Sequence, residues 1–264
     1  MTALPSYFVS HGSPMMALED STARRYLVEL GQEIVREHGK PKAILMASAH
    51  WETPRLAFTT AEKLPTVHDF GGFPQALFDC RYEPPGAPEA VQRAAMLLRD
   101  AGITAYADPH RGVDHGAWVP LMLMFPDADI PTAQIGIETM LGPAHQLAVG
   151  RALAPLRDEG ILVLGSGNVT HNLPEMDRSA PDSDAHDWVK EFSAWVKDAL
   201  DEGRTSDLLD WARRAPHARR SHPTDEHFLP LFTALGAGGP DAKPERIHAS
   251  YSYASLAMDM YAFA

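Results

Sequence analysis

Five histidines stand beside small or turn-forming residues. They are His11 in Ser10-His11-Gly12-Ser13-Pro14, His50 in Ser48-Ala49-His50-Trp51, and His115 in Asp114-His115-Gly116. His171 follows Gly165-Ser166-Gly167-Asn168, and His227 closes His222-Pro223-Thr224-Asp225-Glu226-His227. Cys80 is the only cysteine, so a thiolate-rich zinc site and a disulfide within the chain are both excluded. Imidazole nitrogen is the ligand on offer, and it suits iron, zinc, copper or nickel. None of the spacings is the short His-x-x-x-His motif, so a ligand set has to converge from distant parts of the fold. His11 and His50 each end an apolar run. The carboxyl end of a strand in an open α/β sheet faces the crevice where ligands bind, and the adjoining small residues let a substrate approach closely.

The elements that must position these side chains alternate along the chain. Residues 6–10 and 42–49 read as strands, the second apolar almost throughout, as expected when helices cover both faces of a sheet. Residues 17–38 carry Leu18, Tyr26, Leu27, Leu30, Ile34 and Val35 at helical spacing. Further strands are expected at 55–60, 131–137 and 161–165. Helices are expected at 89–101, stopped by Gly102, and at 143–159, with proline in the first turn. Three more are expected at 184–202, 206–213 and 225–235, the last capped by Thr224. Residues 66–88, rich in glycine, proline and aromatics, read as a long irregular loop over the site. Residues 236–244 suggest a linker, but the roughly 20 residues beyond it are too few for another domain. The chain 1–264 therefore reads as a single α/β domain.

Bulk properties narrow the partners. Lys and Arg number 23 against 35 Asp and Glu, a net charge of -12, which argues against binding a nucleic-acid backbone. No cationic segment leads into an apolar stretch at the start, and no apolar run approaches the ~18 residues of a membrane helix. A soluble protein of the reducing cytoplasm is expected. Gly165-Ser166-Gly167 lacks the lysine of a phosphate loop and the third glycine of a dinucleotide fingerprint. The one dense positive patch, Arg213-Arg214 with Arg219-Arg220, reads as a solvated helix end, with attraction of a substrate carboxylate as the alternative.

Taken together with His68-Asp69-Phe70-Gly71-Gly72-Phe73-Pro74, the histidine segments resemble the class III extradiol ring-cleavage dioxygenases, in the same order and over residues 7–261. Within that superfamily the 4,5-DOPA dioxygenase type is the most similar. The resemblance implies an α/β fold with a central mixed, mostly parallel sheet flanked by helices. It implies non-haem Fe(II) held by His11, His50 and His227, with Zn(II) able to occupy the same site without activating dioxygen. It also implies a catechol substrate and dioxygen, His171 as the acid/base, and His115 as a group that orients substrate or stabilises an intermediate by hydrogen bonding. Glu226 adjoins His227. On a helix, neighbours diverge by about 100°, so one of the two reaches the metal, and His227 is assigned. His68, Phe70, Phe73 and Trp118 are candidate substrate contacts. His222 is expected only to position the helix bearing His227. Two other readings remain: a member of the superfamily that binds metal or ligand without turnover, and a zinc-dependent hydrolase with Glu226 as its base.

Overall fold

A computed structural model describes residues 3–264. Its strands, in chain order, are β1 (Ser6–Ser10), β2 (Ala43–Glu52), β3 (Ala57–Thr59), β4 (Tyr106–Asp108), β5 (Thr132–Ile137), β6 (Ile161–Gly167), β7 (Pro244–His248), β8 (Tyr251–Ser252), β9 (Leu256–Ala257) and β10 (Met260–Phe263). Its helices are α1 (Thr22–His38), α2 (Gln75–Asp79), α3 (Pro88–Asp100), α4 (His115–Met124), α5 (Gly142–Leu153), α6 (Asp187–Asp201), α7 (Thr205–Leu209), α8 (Trp211–Arg214), α9 (Ala218–Ser221) and α10 (Leu229–Ala237). One sheet runs in the order β4-β3-β5-β2-β6-β1-β10-β7, and β8 and β9 form a separate ribbon. Its centre, β5-β2-β6-β1, is parallel. The neighbours β3 and β10 run antiparallel to it.

Side-chain alternation divides the core into two layers. Along β2, Ile44 and Met46 face one way, while Leu45 and Ala47 face the other. The first layer receives α1 and α4, which is apolar beyond its opening His115; the second receives α3, α5, α6 and α10. Helix α1 forms because Ala23, Leu27, Leu30 and Ile34 make one buried stripe and the Ser21 side chain accepts the Arg24 N–H at its start. With both faces covered, the crevice at the carboxyl ends of the parallel strands is the place left for a ligand.

Several elements differ from the sequence expectation, each for a local reason. The helix expected at 225–235 begins at Leu229, because Pro230 fits the first turn but not a helix interior. Thr224 therefore caps nothing; its hydroxyl donates to Glu226 at 3.0 Å. The helix expected to reach residue 159 ends at Leu153 and tightens into a 3-10 turn, Ala154–Arg157, at Pro155. The helix at 206–213 divides into α7 and α8, and the loop at 66–88 contains one short helix, α2. Helix α4 has no polar stripe to announce it.

Candidate active site and metal centre

Each of the five histidines enters the crevice from a different element. His11 follows β1, and its N–H donates to the Gly167 carbonyl at 3.0 Å, carrying the parallel ladder one residue further. Gly12, at φ +57, then turns the chain away. His50 lies near the end of β2, and His115 opens α4 behind its N-cap Asp114. His171 follows β6, with its N–H donating to the Ser221 carbonyl at 2.8 Å. His227 lies in the turn before α10, and its carbonyl accepts the Asn168 N–H at 2.9 Å. It is not on a helix, so the divergence argument for Glu226 and His227 does not apply. The small residues of β6 also do something other than admit a substrate. A Cβ at Gly167 would stand 2.0 Å from the His227 carbonyl oxygen, and one at Gly165 would stand 2.1 Å from that of Pro230. Both glycines let the segment carrying His227 lie directly on the sheet.

His11, His50 and His227 meet. The Nε2 atoms of His11 and His50 are 3.0 Å apart, and those of His50 and His227 are 3.2 Å apart. All three rings offer a nitrogen within 4.8 Å of the others. The outer nitrogens fix what the inner ones present. The Ser166 hydroxyl donates to the Gly116 carbonyl, so its oxygen accepts from His11 Nδ1 at 2.9 Å. The Glu226 carboxylate accepts from His227 Nδ1 at 3.0 Å. Both rings therefore aim an Nε2 lone pair inward. Two lone pairs converging beside a third imidazole, in a buried pocket, are the donor set of a nitrogen-bound cation. Ligand nitrogens about 2.1 Å from one ion stand roughly 3.0–3.4 Å apart, so these residues fit a metal. Burial and the neighbouring imidazoles push His11 and His227 well below the ordinary histidine range, and push His50 down to about 4. The rings are neutral at pH 7, as ligation requires.

The other two histidines flank this centre. The His171 ring stacks on His227 with centroids 3.4 Å apart and planes 7° from parallel. Burial, with His222 and His50 nearby, lowers it to about 3. The His115 ring lies 3.9 Å from that of His50, and its Nδ1 is 3.0 Å from Asp69 Oδ1. Burial alone would raise Asp69, but hydrogen bonds from the side chain and backbone of His115 hold its carboxyl at about 2. Below lies a polar hub. Asp114, fully buried, accepts from Ser48 at 2.6 Å, Gln134 at 2.9 Å and Arg111 at 3.0 Å, and Arg111 also donates to the His50 carbonyl at 3.1 Å.

The candidate substrate contacts separate by depth. Phe70 packs edge-on to His115 at 5.6 Å and against Phe73 at 5.4 Å. Trp118 is fully buried behind Phe70, its indole N–H donating to the Val67 carbonyl at 3.1 Å. His68 turns toward the Cys80 carbonyl, 3.1 Å away. His222 stays out of the cluster: its Nε2 donates to the Val169 carbonyl at 2.7 Å, and Trp211 and Phe228 pack around it. The arginine patch is neutralised, with Arg213 on Asp210, Arg214 on Asp207, Arg219 on Asp225 and Arg220 on Glu175. Reading the sequence missed Ser166, Asp69 and the Asp114 hub. For Asp69 a signal existed, a carboxylate set directly between His68 and Phe70 in the aromatic and glycine-rich loop.

A mixed, mostly parallel sheet with imidazoles converging at its carboxyl edge defines an α/β protein with a nitrogen-donor metal centre. Comparison with known proteins makes this specific. Residues 5–264 match the family model of the catalytic LigB subunit of aromatic ring-opening dioxygenase. The 4,5-DOPA dioxygenase extradiol of Beta vulgaris is 41% identical over 263 residues, covering 98% of this chain and 96% of that one. The enzyme of the same name from Escherichia coli (strain K12) is 42% identical over 238 residues, covering 89% and 86%. The crystal structure of an uncharacterized protein from Escherichia coli K12 superposes with a TM-score of 0.81 at 34% identity, over 99% of this chain and all of that one. The chain belongs to the LigB family of class III extradiol dioxygenases, and it is an extradiol ring-opening dioxygenase. No helix among the described residues is long and apolar enough to cross a membrane.

Proposed function

We propose that the chain is one catalytic domain that holds Fe(II) through His11, His50 and His227 and opens the ring of a catechol, DOPA or a related one, with dioxygen. The observation that carries this reading is the convergence of three imidazole nitrogens, two of them with their protons fixed on the outer side by Ser166 and Glu226. When bound, iron would supply redox-active chemistry toward a catechol and dioxygen, whereas zinc, being redox-inert, would be held by the same nitrogens without it. His171, kept neutral by burial, takes a proton from the substrate hydroxyl that lies beside it. The same ring returns the proton as the substrate ring opens. His115, its Nδ1 proton directed at Asp69, keeps Nε2 as an acceptor with which to orient substrate, beside His50 where His171 stands beside His227. Phe70 and Phe73 form the apolar wall for the ring, with Trp118 supporting Phe70 from behind and His68 further along the loop. Two nearby carboxylates, Glu226 and Asp69, are engaged by ring N–H groups, which favours this reading over a zinc hydrolase needing a free carboxylate base. Location in the cytoplasm is part of the proposal.

The test is anaerobic reconstitution with Fe(II), followed by dioxygen and a panel of catechols. The expected result is the yellow absorbance of a ring-opened semialdehyde with at least one catechol and with Fe(II) alone. Turnover with Zn(II) but not Fe(II) would overturn the reading.

A further inference from the structure

We propose that Asp69 is a positioning residue that sets the tautomers of two rings at once, His50 of the metal centre and His115 beside it. The inference rests on the three-histidine reading above and adds to it a carboxylate carried on a different element from any ligand. Asp69 divides its two oxygens. Oδ1 accepts both from His115 Nδ1 and from the His115 backbone N–H, each at 3.0 Å. Oδ2 faces His50 Nδ1 at 3.5 Å. An ionised carboxylate only accepts, so each facing Nδ1 is favoured in its protonated form. For His50 this frees Nε2 as a third inward lone pair, matching those that Ser166 secures on His11 and Glu226 secures on His227. For His115 it leaves Nε2 as an acceptor toward the crevice.

The backbone holds Asp69 in this place. The Val67 N–H donates to the Val113 carbonyl at 2.8 Å, and the Val113 N–H donates to the Pro65 carbonyl at 2.9 Å. These two bonds tie the aromatic loop alongside the segment that enters α4. Phe70, the next residue, packs on His115. The substrate-facing loop and the ligand geometry therefore share one residue, and each histidine of the centre faces an oxygen on its outer side, the Ser166 hydroxyl, the Glu226 carboxylate or the Asp69 carboxylate. Such acceptors are worth 10–100-fold in metal affinity where they have been removed from other sites.

Asp69→Asn discriminates this role from a purely structural one. The amide is isosteric, and its oxygen still satisfies both donors of His115. Its NH2 group then faces His50 Nδ1 and drives that proton to Nε2, the atom needed for the metal. Zn(II) affinity, measured by competition with a chromophoric chelator, is expected to fall 10–100-fold in both Asp69→Asn and Asp69→Ala, with unchanged circular dichroism. Long-range 1H–15N correlation spectra of the Zn(II)-loaded protein are expected to show His115 protonated on Nδ1 in the wild type and in Asp69→Asn, and redistributed in Asp69→Ala. Wild-type Zn(II) affinity in Asp69→Asn, or a wild-type His115 protonated on Nε2, would overturn the assignment. Failure of the wild type to bind Zn(II) would instead overturn the metal reading, leaving the His115 spectra of the metal-free protein to decide the role of Asp69.

Discussion

Replacing Gly167 by alanine should empty the metal centre without touching a ligand side chain. The added methyl would stand 2.0 Å from the His227 carbonyl oxygen, 3.0 Å from its carbonyl carbon and 3.3 Å from Phe8 Cε2. Cβ atoms do not approach oxygen within 3.0 Å, so the gap has to open by at least about 1 Å. Phe8 is fully buried on β1, so the sheet side cannot give way, and the turn bearing His227 moves instead. A functional constellation tolerates about 0.5 Å of displacement, and an error near 1 Å costs on the order of 100-fold. Overpacking itself costs about 1–3 kcal/mol, or a Tm loss of roughly 2–12 °C in a chain of this size. Gly86→Ala is the control. Its Cβ would stand 2.0 Å from the Ala61 carbonyl oxygen, near the start of β5 and so at the opposite end of the sheet. Competition titrations with Zn(II) or anaerobic Fe(II), run beside thermal melts, should show comparable destabilisation in both variants. Metal affinity should fall about 100-fold only in Gly167→Ala. Wild-type affinity in Gly167→Ala, or equal loss in both, would refute the claim that this glycine seats His227.

Three other outcomes follow from the same geometry. His171→Ala should retain metal at wild-type stoichiometry while turnover falls ~100-fold or more, the scale of a lost acid/base group, as read by metal analysis beside a ring-opening assay. Ser166→Ala removes the acceptor that fixes the His11 proton and strands the Gly116 carbonyl, so metal affinity should drop at least about 10-fold and stability by about 1–3 kcal/mol, measured by chelator competition and denaturant melts. For the metal-free protein the sign with pH is fixed by the buried imidazoles. His50 and His222 titrate at about 4 when folded and His171 at about 3, against about 6.5 when unfolded. The unfolded chain thus binds more protons below pH 6.5, and stability should fall steadily from pH 6.5 to about 4. Asp259, whose carboxyl burial raises to about 6, offsets part of this loss. Denaturant midpoints that stay flat across that window would contradict the burial of these rings.

How far the sequence was legible follows from what each kind of residue reports locally. The parallel centre of the sheet was readable because strands covered on both faces are apolar without interruption, as in residues 43–49, and because α1 carries its stripe at a clean helical period. Helix α4 was not, since a helix buried on all sides has no stripe, although its Asp114 cap stood in plain view. The strands β7 and β10 were missed for a different reason: both are short, β10 pairs with β1, which lies over 200 residues earlier, and β7 is an edge strand added onto β10. The convergence of His11, His50 and His227 is of this non-local kind too. It is built by the register in which Ser48 pairs with Ser166 and Ser10 with Gly167, which sets the ends of three strands side by side. That register brings His11, just beyond β1, against His50, near the end of β2, and His227 joins them from the turn before α10, which the Asn168 N–H holds at the end of β6. What the order of residues leaves open is which way each ring points, and that is decided by outer acceptors such as Ser166, Glu226 and Asp69, ordinary polar residues that acquire meaning only when a ring nitrogen is found 3 Å away.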